Sequence, residues 1–163
     1  MKFEMINEKV VFSDFDPGEA LKLAVYIEEE GAKFYDELMK RAQGKVIRNE
    51  LGFLKKEETG HSKKFEKLYK KWCKCSMEEL REDALGFLAE KGIFGPIRKI
   101  HAEEILCDNA EALKLGATVK KRMIAFFNAL LENADDPSVK KILKKIIDEE
   151  KSHLDKLKIL MAY

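Results

Sequence analysis

Residues 16–68 align with residues 108–160 at a constant offset of 92, without a gap, and roughly 15 of the 53 positions are identical. The clearest stretch is EALKLAVYIEEEGAKFY at 19–35 against EALKLGATVKKRMIAFF at 111–127. Matched positions include Asp16/Asp108, Leu38/Leu130, Leu51/Leu143, Glu58/Glu150 and His61/His153. A chain built this way must fold as two related units that pack on one another.

Each unit reads as a helical hairpin. Asp16-Pro17-Gly18-Glu19 and Asp108-Asn109-Ala110-Glu111 open helices as capping boxes, the first with Pro at the first helical position. Gly44 is a C′ stop for helix one, and helix two runs from about Val46 to Trp72. Asp136-Pro137 ends the third helix and starts the fourth. Each spans roughly 25 residues, about 38 Å. Strand signals are weak throughout. The expected fold is all-α: an antiparallel four-helix bundle in one domain, residues 1–163, with a long crossover at 73–107 between helices two and three. Within the crossover, Ser76 caps a short amphipathic helix carrying Leu80, Ala84, Phe87 and Leu88, and Gly92, Gly95 and Pro96 break it.

Apolar residues at helical spacing define an inward stripe on each helix, and polar residues interrupt them. The steps 21, 24, 28, 31, 35, 38 turn Glu28 inward but not Glu29 or Glu30. The steps 51, 54, 58, 61, 65, 68 turn Glu58 and His61 inward, and 143, 146, 150, 153, 157, 160 do the same for Glu150 and His153. On helix three, 113, 117, 120, 124, 127, 131 bring Lys120 inward. All lie about 15 residues from their hairpin turns, so three Glu, two His and one Lys should meet at mid-bundle. Buried charges need compensation, and carboxylate with imidazole at i and i+3 can grip one metal ion.

Two Glu-x-x-His pairs, plus a Glu from another helix followed by Gly31 and Tyr35, resemble the rubrerythrin-like branch of the ferritin-like di-iron carboxylate superfamily. The resemblance covers both hairpins. It implies a four-helix bundle with a crossover between helices two and three, iron as cofactor (one or two ions, with zinc or manganese as substitutes), and peroxide- or dioxygen-linked oxidoreductase activity. It implies Glu28, Glu58 and His61 as ligands of one iron, Glu150 as a bridge and His153 on the second iron, with Tyr35 hydrogen-bonding a ligand carboxylate. The sequence departs from the family pattern at the third-helix Glu, replaced by Lys120, and at the matching Tyr, replaced by Phe127. These 163 residues contain no CxxC pair of the kind the family's rubredoxin-like tail carries.

Three outcomes follow for the centre. Lys120 fills the second metal's space and pairs with Glu150, leaving one ion on Glu28, Glu58, His61 and Glu150. Or Lys120 extends to solvent on its stem and two metals persist. Or Lys120 and a protonated His neutralise the carboxylates and no metal binds. The competing functional class is a non-enzymatic bundle with a degenerate metal site, acting through a partner or as a homodimer.

Composition narrows the rest. Lys+Arg (31) and Asp+Glu (30) nearly cancel, so neither nucleic acid nor a polyanionic role is indicated. There is no run of 18 apolar residues, so no membrane span is expected. The acidic start does not suit a secretory leader, and three cysteines, Cys73, Cys75 and Cys107, make no disulfide framework, which points to the cytoplasm. The cysteines read as ordinary thiols, and His101 as a surface residue of the crossover.

Overall fold

The computed structural model describes residues 2–73, 93–94 and 109–162. The crossover's amphipathic helix, its Gly92, Gly95 and Pro96 breaks, Cys75, Cys107, His101 and the cap residue Asp108 all lie outside the described residues. Among the described residues there are four helices: α1 Pro17–Arg41, α2 Lys45–Cys73, α3 Asn109–Asn133 and α4 Pro137–Met161. They form an antiparallel four-helix bundle, and none of these four is long and apolar enough to cross a membrane.

The caps form as the sequence requires. Asp16 Oδ1 accepts from the Glu19 amide at 2.7 Å, and Asp136 Oδ1 from the Ser138 and Val139 amides at 2.7 and 3.1 Å. Each satisfies donors that a helix start leaves unpaired, with Pro following where no donor is needed. Gly44 adopts a positive φ of 90°, but it lies two residues beyond the C-cap Ala42 rather than at C′. The loop between α1 and α2 is clasped to the start of α3: the Gln43 amide donates to Asn109 Oδ1, and Asn109 Nδ2 donates to the Gln43 carbonyl, both at 2.9 Å.

Two strands precede the bundle, where the weak strand signals gave no expectation of any. β1 Lys2–Ile6 pairs antiparallel with β2 Lys9–Ser13. The turn residues Asn7 and Glu8 have φ of 49° and 64°, the left-handed pair that a two-residue hairpin loop requires. The hairpin lies on α3: the Phe3 and Phe12 rings stand 5.4 and 5.6 Å from Phe126. This widens the buried surface of α3 beyond the expected stripe. Met123, Phe126 and Leu130 are buried, whereas Ile124 and Leu131, expected inward, are half-buried.

The hydrophobic core falls into two clusters. One, at the hairpin end, contains Val25, Phe65, Phe127 and Ile146; the other contains Tyr35, Leu38, Leu51, Leu113 and Leu157. The helix stretches between these clusters carry the polar residues.

Candidate metal centre

All six inward polar residues meet there. Glu28, Glu58, His61, Lys120 and Glu150 have no exposed surface, and His153 retains 3%. Gly31 makes room for the meeting: a Cβ at that position would stand 2.9 Å from Glu58 Oε2.

Lys120 does not extend to solvent. Its Nζ donates to Glu58 Oε1 and to Glu150 Oε2, forming two fully buried ion pairs. It also lies 5.4 Å from the centre of the Tyr35 ring. Burial disfavours the ammonium, but the two carboxylates outweigh burial and raise its pKa well above the usual lysine value. Burial likewise opposes the Glu150 carboxylate; Lys120 and the two imidazoles overcome it and hold Glu150 well below the usual range. Glu28 and Glu58 go the other way, raised well above it first by burial and then by the charge of Glu150. Burial also raises the Tyr35 phenol.

The remaining donor atoms converge without bonding one another. His61 Nδ1 lies 2.8 Å from Glu150 Oε1 and 3.5 Å from Glu28 Oε1, and His153 Nδ1 lies 3.9 Å from Glu150 Oε1. Despite the 2.8 Å approach, neither His61 Nδ1 nor Glu150 Oε1 has a hydrogen-bond partner. Among the described residues, the buried side-chain atoms lacking any hydrogen bond are Glu28 Oε1 and Oε2, Glu58 Oε2, His61 Nδ1, Glu150 Oε1, His153 Nδ1 and the Tyr35 hydroxyl. All belong to this centre. Orphaned buried polar atoms are costly and rare, and here six of the seven come from carboxylates and imidazoles, the donors that divalent first-row metals take.

The donors sort into two overlapping groups, Glu28/His61/Glu150 and Glu58/Glu150/His153, each with ligand atoms within 4.8 Å of one another. Glu150 is shared, as a bridging residue would be. Glu58 groups with His153, whereas the family resemblance implied a place for it with Glu28 and His61. The two groups are not equivalent, because Lys120 is bonded to both carboxylates of the second and only one of the first. The first group fits a divalent ion; in the second an ammonium already holds an oxygen of each carboxylate.

Two residues outside the inward stripes flank the centre and went unnoticed in the sequence. His61 Nε2 is 2.9 Å from Glu149 Oε2, which also accepts from Lys64 Nζ at 3.0 Å. His153 Nε2 is 4.0 Å from Glu57 Oε2. Each imidazole therefore turns its outer nitrogen to a carboxylate on the other hairpin. A signal for them existed: Glu57/Glu149 and Lys64/Lys156 are identical at the 92-residue offset.

The sequence matches the model of the rubrerythrin family over residues 19–161. The structure is similar to the crystal structure, at 2.30 Å, of a Thermotoga maritima protein described as a ferritin-like diiron-carboxylate protein. The two are 26% identical with a TM-score of 0.70, over 93% of this chain and 98% of that one. No curated protein matches the chain.

Proposed function

Because the chain belongs to the rubrerythrin family, we propose that it is a metal-binding protein holding one iron ion at mid-bundle on Glu28, His61 and Glu150. The observation that carries this reading is the convergence of buried, unbonded oxygen and nitrogen atoms from these three residues. The likeness to a protein described as di-iron-carboxylate supports iron as the ion.

Charge supports one ion rather than two. With Glu28 and Glu58, whose pKa values burial raises, giving up their protons to the metal, three carboxylates and one ammonium sum to −2, the charge one divalent cation neutralises; two would leave the buried centre at +2. Lys120 acts as a fixed cation in the second position, holding one oxygen each of Glu58 and Glu150. A bound ferrous ion would supply one-electron chemistry toward peroxide or dioxygen. The apolar clusters on either side exclude bulk water from the centre, and Glu150 keeps its free oxygen toward His61. One ion cannot deliver two electrons at once through a metal pair, so metal binding takes precedence over peroxide reduction in this reading.

Anaerobic titration of the chelator-treated protein with ferrous ion tests it. Wild type should bind one equivalent and Lys120→Glu two. Two equivalents in wild type would overturn the single-ion assignment. None would overturn metal binding and favour a bundle that acts without metal, its core neutralised by Lys120.

A further inference from the structure

The two hairpins supply the same outer residues at the same offset, yet the structure uses them differently. In one half, Glu149 Oε2 bonds His61 Nε2 at 2.9 Å and Lys64 Nζ at 3.0 Å, and Lys145 Nζ stands 3.9 Å from Glu149 Oε1. In the other half the counterparts are Glu57, His153 and Lys156. There the carboxylate stands 4.0 Å from the imidazole, beyond hydrogen-bond range. Among the described residues no lysine pairs with Glu57, because Lys156 lies over the Phe53 ring at 4.1 Å. Phe53 in turn meets the His153 ring edge-on at 5.9 Å. The position equivalent to Phe53 in the second hairpin is Lys145, one of the cations beside Glu149. A single aromatic in place of a lysine thus removes a cation from one outer carboxylate and draws a second one away.

We propose that Glu149, held by Lys64, is a positioning residue that locks His61 with Nδ1 toward the centre, and that Glu57 does not do this for His153. A carboxylate only accepts, so Nε2 must carry the hydrogen of the His61–Glu149 bond, and Nδ1 is the nitrogen left to face Glu28 and Glu150. His153 keeps its ring by packing between Phe53 and His61, whose ring stacks on it at 6.0 Å, without a bonded outer nitrogen. Two halves with equal donor sets are therefore unequally organised, and the ordered half is the one Lys120 leaves more open. The consequence for metal rests on the proposed single-ion site; the locking of His61 does not, since it is built into the polypeptide.

The test uses the full chain. In the metal-free protein, proton NMR should show an imidazole Nε2–H of His61 protected from exchange, and no equally protected signal from His153. That signal should persist in Glu57→Ala and in Glu149→Gln, whose amide oxygen still accepts, and vanish in Glu149→Ala. In anaerobic ferrous titration, Glu149→Ala should bind about 10–100-fold more weakly, the usual effect of losing such a partner, while Glu149→Gln and Glu57→Ala stay near wild type. Persistence of the His61 signal in Glu149→Ala, or equal protection of His153 in wild type, overturns the proposal. If wild type binds no iron but the His61 signal follows this pattern, the single-ion reading fails and the positioning role stands.

Discussion

Lys120 of α3 and Glu58 of α2, 62 residues apart in sequence, form an ion pair in which no part of either side chain reaches solvent. The same ammonium serves Glu150. Removing one partner of a buried pair leaves an uncompensated charge, at a cost of about 3–5 kcal/mol. Lys120→Met, similar in length and apolar, should therefore destabilise the metal-free protein by about that much in urea denaturation. The sign of its pH dependence follows from the carboxylates. With the lysine gone, burial raises their folded-state pKa, so the folded protein binds more protons than the unfolded chain and the deficit should grow as pH rises from 5 to 8. An ion that replaces the lysine restores stability, by about 2.7 kcal/mol when present at a hundredfold excess over its dissociation constant.

Gly31 and Gly60 are both interior helix glycines with opposite surroundings. A Cβ on Gly31 would stand 2.9 Å from Glu58 Oε2; one on Gly60 would meet nothing within 4 Å. Gly60→Ala should gain about 0.5–1 kcal/mol from helix propensity and a less flexible unfolded chain. Gly31→Ala should lose stability, because Glu58 cannot retreat without disturbing its bond to Lys120. Denaturation midpoints of the two variants should move in opposite directions.

Asp136 caps α4, and its carboxyl pKa is lowered by bonds from the Ser138 hydroxyl and then the Val139 and Ser138 amides. A depressed folded pKa stabilises above the unfolded value, about 3.9, and that contribution is lost as pH falls through the folded one. Asp136→Asn still caps but does not titrate. Thermal melts below about pH 4 should show wild type losing stability more steeply than the variant.

Phe3 is 1% exposed and meets Phe126 edge-on at 5.4 Å. Phe3→Ala should cost about 3 kcal/mol, at the low end for a buried aromatic because a hairpin of only two strands can shift into the space. Hydrogen exchange should quicken in β1 and β2 while the amides of α2 and α4 keep their protection.

The helices and the six central side chains were legible because a 3.6-residue period fixes which positions point inward, whatever their chemistry. That is why Glu28, Glu58 and Glu150 could be told from their acidic neighbours. The β-hairpin was not legible: its strands have five residues each, the Asn7-Glu8 turn contains no glycine, and adjacent apolar residues at Val10-Val11 blur the alternation. Missing it also narrowed α3, whose Met123 and Phe126 are buried under a layer the stripe did not anticipate. Glu57 and Glu149 escaped notice because they neighbour the inward Glu and remain partly exposed, so periodicity assigns them to solvent. The course of Lys120 lay beyond any period. Its stem could reach either way, and only the paired positions of Glu58 and Glu150 draw it in.

Lys120 also bears on the order of events in the protein's life. A bundle whose central acids have only a metal for a counterion must wait for that metal before its core can close. This chain carries its own cation to the same point, so its interior can close before any ion arrives. On the proposed single-ion reading, loading would then be a late step performed on a finished scaffold.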